Sequence, residues 1–177
     1  KTNPSEYYAV KPEDFHGLVP KLEVKEGSPV KAGTSLFVDK NNPVIRFTSP
    51  VSGEVVSVSR GERRVILEVI VKADGKQEYE SFQAGDPRVM SREGIIDNLM
   101  KSGLWPSIRQ RPYNIVAAPK DIPKSVFISA FDTAPLAPDY DFIIQGSESD
   151  FQVGIDVLSR LTTGRVHINV SDEYPAS

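Results

Sequence analysis

Side-chain chemistry needs convergent groups, and this 177-residue sequence offers few of them. Its two histidines, His16 and His167, lie far apart in sequence, and neither has a histidine or cysteine beside it. A metal site needs several convergent ligands, so neither histidine is nominated as one. The absence of cysteine excludes disulfides, thiolate-held zinc, iron–sulfur clusters and a thiol nucleophile within this stretch. Ser147-Glu148-Ser149-Asp150 sets hydroxyls beside carboxylates, but no Gly-x-Ser-x-Gly elbow frames them, and helix capping accounts for the cluster. Arg60, Arg63 and Arg64, then Arg109 and Arg111, make two small basic groups that suit a solvated loop face, an acidic partner surface or a phosphate. The remaining candidate is apolar. Phe127, Phe131, Pro135, Leu136 and Pro138 form a proline-studded stretch after a strand-like run. Open α/β sheets bind ligands at the carboxyl ends of their strands. Phe131, Pro135, Leu136 and Pro138 are therefore the expected contacts for an apolar ligand or a partner helix, with packing against further polypeptide as the alternative. No catalytic, cofactor-binding or metal-ligating residue is nominated.

Composition narrows the partners. Hydrophobic residues make up 39% and charged residues 25%, which suits a folded chain of one domain or two small ones. A net charge of −3 gives no global basic footprint, so nucleic acid is disfavoured. No run approaches the roughly 20 apolar residues that span a bilayer, and the longest, such as Val69-Ile70-Val71, are strand-sized. Lys1-Thr2-Asn3-Pro4 lacks the apolar core of a signal peptide.

The elements that must carry these residues fall into two halves. In the first, Lys21-Leu22-Glu23-Val24-Lys25 alternates at the period of a half-buried strand. Leu36-Phe37-Val38, Val44-Ile45-Arg46-Phe47, residues 54–59 and residues 64–72 follow as strands. They are separated by turn-rich stretches: 26–29, 39–43, 49–53 and 60–63. Short strands with closely spaced turns predict a compact all-β barrel or sandwich over residues 6–80. The second half changes period. Ser91 is placed to cap a helix whose Ile95, Ile96, Leu99 and Met100 share a face, with Gly103 as its stop. A helix and linker are thus expected over 81–112. Within 113–177, strands at 115–117 and 126–128, a loop at 132–141, a helix capped by Ser149 or Asp150, and a strand at 166–170 predict a βαβ unit of an α/β, Rossmann-like domain.

The most specific motif is V-x-x-G-x-x-V-x-x-G-x-x-L over residues 24–36, followed by Ser49-Pro50-Val51-Ser52-Gly53-Glu54-Val55. It resembles the biotinyl/lipoyl-like barrel-sandwich hybrid. The flanks narrow the resemblance: Tyr8-Ala9-Val10-Lys11-Pro12-Glu13-Asp14-Phe15-His16-Gly17-Leu18-Val19-Pro20, Asp39-Lys40-Asn41-Asn42-Pro43, Arg60-Gly61-Glu62-Arg63-Arg64-Val65 and Ile70-Val71-Lys72-Ala73-Asp74-Gly75. Together they resemble the N-terminal part of the A-subunit family of Na⁺-translocating NADH:quinone reductases. That family is longer, so its C-terminal part, and with it the rest of the α/β sheet, is expected beyond this sequence. More distantly the layout resembles the C-subunit family of the Rnf complex and the flavin-binding component of complex I.

The resemblance implies a peripheral component on the cytoplasmic face of a bacterial inner membrane, partnered by membrane and flavin subunits and linked to the quinone-reducing end. For the loop bearing Phe131, Pro135, Leu136 and Pro138, the apolar ligand would then be a quinone. NADH, FMN, FAD, a 2Fe–2S centre and ubiquinone act on or through other subunits, and this chain holds no cofactor. Two alternatives stay open. The Rnf and complex I group cradles FMN on a glycine-rich loop after a helix like residues 91–101. Here that place reads Leu104-Trp105-Pro106-Ser107-Ile108-Arg109-Gln110-Arg111-Pro112, without glycine, and Ala130-Phe131-Asp132-Thr133-Ala134-Pro135 lacks that group's cysteine. A biotin or lipoate carrier would use Lys40 at its central hairpin, although Asn41-Asn42-Pro43 matches neither attachment context.

Overall fold

A computed structural model describes residues 4–83 and 85–171. By contact it divides into two compact units. One holds the described residues up to 83 together with Ile96–Pro119, and the other holds Gly85–Ile95 together with the described residues from Lys120 onward.

The first unit contains the barrel-sandwich hybrid. Its strands are β1 (Tyr7–Val10), β2 (Pro20–Leu22), β3 (Pro29–Val30), β4 (Ser35–Asp39), β5 (Arg46–Thr48), β6 (Gly53–Arg60) and β7 (Ile66–Ala73). All pairings are antiparallel, in one sheet of order β1-β7-β6-β3 and another of order β2-β4-β5. The inward residues of both sheets form the core: Val30, Leu36, Phe37, Val38, Phe47, Val55, Val69 and Val71 are all buried. Strict alternation would expose one of Leu36 and Phe37. A register shift between Ser35 and Phe37 inserts a bulge, and three consecutive side chains of β4 enter the core. Gly53 starts β6 where β7 passes so closely that an added Cβ would overlap the Lys72 carbonyl oxygen. Only glycine fits that crossing.

The hybrid differs in detail from the alternation rule. The expected strand over 21–25 is assigned only to Leu22: Glu23 N–H still bonds the Leu36 carbonyl of β4 (3.0 Å), and the chain then leaves the ladder for a turn closed by Ser28 N–H on the Lys25 carbonyl (3.0 Å). Tyr7–Val10, which carries no strong alternation, is a strand because β7 supplies it with a ladder, Tyr7 opposite Lys72 and Val10 opposite Val69. Edge pairing, rather than propensity, makes it one.

Helix α1 (Arg92–Lys101) begins as expected: the Ser91 hydroxyl accepts the Gly94 N–H at 3.1 Å. It ends on Gly103 at φ +75°, where Gly103 N–H bonds the Met100 carbonyl and Leu104 N–H the Leu99 carbonyl. That pair of bonds is the glycine C-terminal motif of many helices. A 3-10 turn (Trp105–Ser107) then leads to a small antiparallel hairpin of β8 (Arg109–Gln110) and β9 (Ile115–Val116). Trp105 is buried and its indole N–H donates to the Ala117 carbonyl at 2.8 Å. The strand expected at Ile115 and Val116 is present, but it does not join the sheet that holds 126–128. It pairs instead with Arg109 and Gln110, because the intervening turn is short enough to close a hairpin.

The second unit contains β10 (Val126–Ser129), α2 (Tyr140–Ile144), α3 (Glu148–Ser159) and β11 (Val166–Asn169). β10 and β11 are parallel, Val126 opposite Val166 and Ser129 opposite Asn169, so the expected βαβ connection is present. Two local expectations change. α3 starts at Glu148 rather than after Ser149 or Asp150, since the Glu148 carboxylate itself reaches back to the Gly146 N–H (2.9 Å). The loop expected over 132–141 closes early into α2, because the Asp139 carboxylate accepts the Phe142 N–H (3.1 Å) and caps a short helix. Among the described residues, no helix is long and apolar enough to cross a membrane.

Candidate functional site

The loop between β10 and α2 carries the four nominated residues. It leaves the sheet after Ala130 N–H pairs with the Asn169 carbonyl (2.9 Å). The Asp132 carboxylate then accepts the Ala134 N–H (2.9 Å), and Ala137 N–H closes a turn onto the Ala134 carbonyl (3.0 Å). That turn drives Leu136 to φ +66°, a conformation side-chain-bearing residues rarely take. Leu136 is fully exposed (103%), Phe131 is 38% exposed, and Pro135 is exposed, with Pro138 among the same run of loop residues. The structure thus carries all four on one loop at the surface. The depression next to it is lined instead by Asp139, Asp141, Phe142, Ile144, Gln145 and Glu148.

Phe142 and Ile143 on α2 are exposed and extend the apolar surface of this unit. Periodicity does not nominate them, because a five-residue helix has too few turns to declare a face. The available signal is the aspartate three residues before Phe142, a cap pattern directly after Pro138. On the sheet, Phe127 and His167 sit opposite one another in register and stack with ring centroids 4.8 Å apart and planes 13° apart. His167 is therefore a cross-strand stacking partner. The Glu148 carboxyl is held below its ordinary pKa by the hydrogen bond it accepts from Gly146 N–H.

The other candidates are placed as follows. Lys40 is exposed and lies at the start of the β4–β5 connection, with its N–H on the Val19 carbonyl (2.7 Å). Asp39 and Ile45 close that connection, so its middle falls near Asn42 rather than Lys40. His16 is exposed in the turn after the 3-10 segment Pro12–Asp14. Among the described residues no group of three or more His, Cys, Asp or Glu is arranged to hold a metal. Ser147 precedes α3 with no side-chain cap bond.

The two arginine groups differ. The Arg109 guanidinium lies over the Phe15 ring (4.7 Å to its centroid) and donates to the Asp14 carbonyl (3.2 Å), so it ties the β8–β9 hairpin to the hybrid. Phe15 in turn packs edge-on against Phe47 (4.6 Å), which stacks on Phe37 (5.0 Å). Arg60, Arg63 and Arg64 stay exposed at the β6–β7 turn.

Comparison with known proteins agrees with the fold. The family model described as the NqrA N-terminal barrel-sandwich hybrid domain matches residues 1–74, and the one described as the NqrA second alpha/beta domain matches residues 90–176. The A-subunit of the Na(+)-translocating NADH-quinone reductase of Yersinia pestis is 40% identical over 158 residues, which is 88% of this chain and 35% of that protein. Its counterpart in Actinobacillus pleuropneumoniae serotype 5b is 41% identical over 155 residues, 86% of this chain and 34% of that protein. The chain thus spans about a third of the length of the curated relatives it matches. With the hybrid sheets, the parallel β10–β11 unit and both domain matches in agreement, the chain belongs to the NqrA family.

Proposed function

We propose that this chain is part of a peripheral subunit of a Na⁺-translocating NADH:quinone oxidoreductase, in which it serves assembly and the quinone-reducing end without a flavin or iron–sulfur centre of its own. The carrying observation is the 40% identity over 88% of the chain to proteins named as the A-subunit of that complex. On this reading the protein sits at the cytoplasmic face of the inner membrane and meets membrane and flavin subunits, which supply FMN, FAD, the 2Fe–2S centre and the NADH site. The segment after α1 supports a cofactor-free role. Trp105 and Pro106 are buried there, and Trp105 is tied to Ala117, where related flavin subunits would need an open glycine backbone to cradle phosphate. The exposed loop bearing Phe131, Pro135, Leu136 and Pro138 is the proposed contact for ubiquinone or for a partner helix.

The test is co-purification of the tagged full-length protein from gently solubilised membranes. The expected result is association with flavin-bearing membrane subunits and Na⁺-stimulated NADH:quinone activity. A protein that stays alone in the soluble fraction overturns the proposal. A photoreactive quinone is then expected to label the wild-type loop and to lose most of that labelling in Leu136→Gly, a change compatible with the φ of +66°.

A further inference from the structure

The tip of the β6–β7 hairpin combines a backbone that disfavours its residues with three arginines and a single carboxylate, Glu62, with which none of them forms an ion pair. Val65 N–H donates to the Glu62 carbonyl (3.1 Å), and Gly61 N–H donates to the Val65 carbonyl (2.8 Å). The two central residues of this turn, Arg63 and Arg64, have φ +53° and +62°. Tight hairpins of this kind strongly prefer Asn-Gly, Asp-Gly or Gly-Gly, because side chains with a Cβ are strained there. Local strain of this type points to a use for the side chains. Arg60 joins the pair, its guanidinium near the Arg64 carbonyl (3.4 Å). All three arginines are exposed, and among the described residues none forms an ion pair with a carboxylate. Beside them Val65 is 56% and Leu67 43% exposed.

We propose that this hairpin tip is an anionic-membrane contact, with Arg60, Arg63 and Arg64 meeting lipid phosphates and Val65 and Leu67 entering the headgroup boundary. Guanidinium groups pair with phosphate through a planar fork of donors. A narrow turn needs no concave partner to match, and basic residues flanked by aliphatic ones suit an anionic interface. The chain as a whole carries net charge −3, so the basic tip also orients it, turning this end and not its acidic remainder toward the lipid. The inference rests on the proposed membrane complex only for the presence of a bilayer nearby.

The experiment is co-sedimentation of the chain with vesicles of phosphatidylglycerol and phosphatidylethanolamine, against vesicles of phosphatidylcholine alone, at low and high salt. Expected is pelleting with the anionic vesicles only, weakened by salt. Arg60→Gln/Arg63→Gln/Arg64→Gln is expected to weaken partitioning about fivefold per arginine, or about a hundredfold together. Arg63→Gly/Arg64→Gly relieves the backbone, so the fold is kept or stabilised while binding falls, which separates contact from structure. No binding to anionic vesicles, or equal binding by wild type and the arginine variants, overturns the proposal, and the tip then faces protein or solvent. Co-purification of the complex is read independently, so either result can fail without the other.

Discussion

Ser52 shows what a single buried hydroxyl does in the hybrid. It is 3% exposed, donates to the Asp74 carboxylate (2.7 Å) and accepts the Glu78 N–H (3.0 Å), so it ties the turn before β6 to the strand exit after β7. Removing it deletes two hydrogen bonds, each worth about 0.5–1.5 kcal/mol net, or about 1–3 kcal/mol together. Ser52→Ala is expected to lower unfolding free energy by that amount in urea titrations read by Trp105, the sole tryptophan. Asp74 adds a pH dependence. Hydrogen bonds from Lys76 N–H, first, and from the Ser52 hydroxyl hold its carboxyl below the ordinary aspartate value. A depressed folded-state pKa adds stability that is complete above the unfolded value and is lost as pH falls through the folded one. The wild type is therefore expected to lose stability in acid more steeply than Asp74→Asn, as measured by denaturation across that range. The serine in Ser49-Pro50-Val51-Ser52-Gly53 is visible in the sequence as part of a turn motif. Its partners, 22 and 26 residues away, are not, because hydrogen bonds between distant segments leave no periodicity in sequence.

At the scale of elements, α1 marks where the hybrid meets the segment that follows it. Gly103 ends the helix in left-handed backbone, and a Cβ there would overlap the Thr48 hydroxyl on β5. Gly103→Ala is expected to destabilise by at least about 1–2 kcal/mol from backbone strain alone, with the Thr48 clash added. Thermal unfolding followed by Trp105 emission would measure it, and a loss below about 0.5 kcal/mol would be too small for a left-handed cap. The helix itself is readable from Ser91, the Ile95 and Ile96 face, and Gly103, since caps and periodicity are local signals. Of the β8–β9 hairpin, only the strand at Ile115 and Val116 is. Its partner Arg109–Gln110 is too short and polar to show a pattern, and only the pairing of Arg109 with Val116 and Gln110 with Ile115 reveals it.

For the molecule as a whole, the two compact units differ in how much they bury. The β6–β7 ladder carries Val55, Val69 and Val71 at 0% exposure, whereas Phe127 (67%), Ile168 (41%) and Val170 (55%) lie open along the β10–β11 pair. Parallel sheets are normally covered on both faces, so amides of β10 and β11 are expected to exchange at least about tenfold sooner than those of Val69 and Val71. Equal protection in hydrogen-exchange measurements would contradict that. By itself the sequence determined what short-range chemistry dictates: the β-rich first half, the glycine turns of the hybrid, α1 with its caps, the βαβ order, and an irregular loop at Pro135 and Pro138. Only the tertiary structure decided the pairing of β1 with β7, the bulge that sends Leu36, Phe37 and Val38 inward together, the seat of Arg109 on Phe15, and the strained turn at Arg63 and Arg64. The physical reason is that periodicity and turn preference are properties of neighbours in the chain, whereas edge pairing, close backbone approach and ring packing depend on segments brought together only by folding.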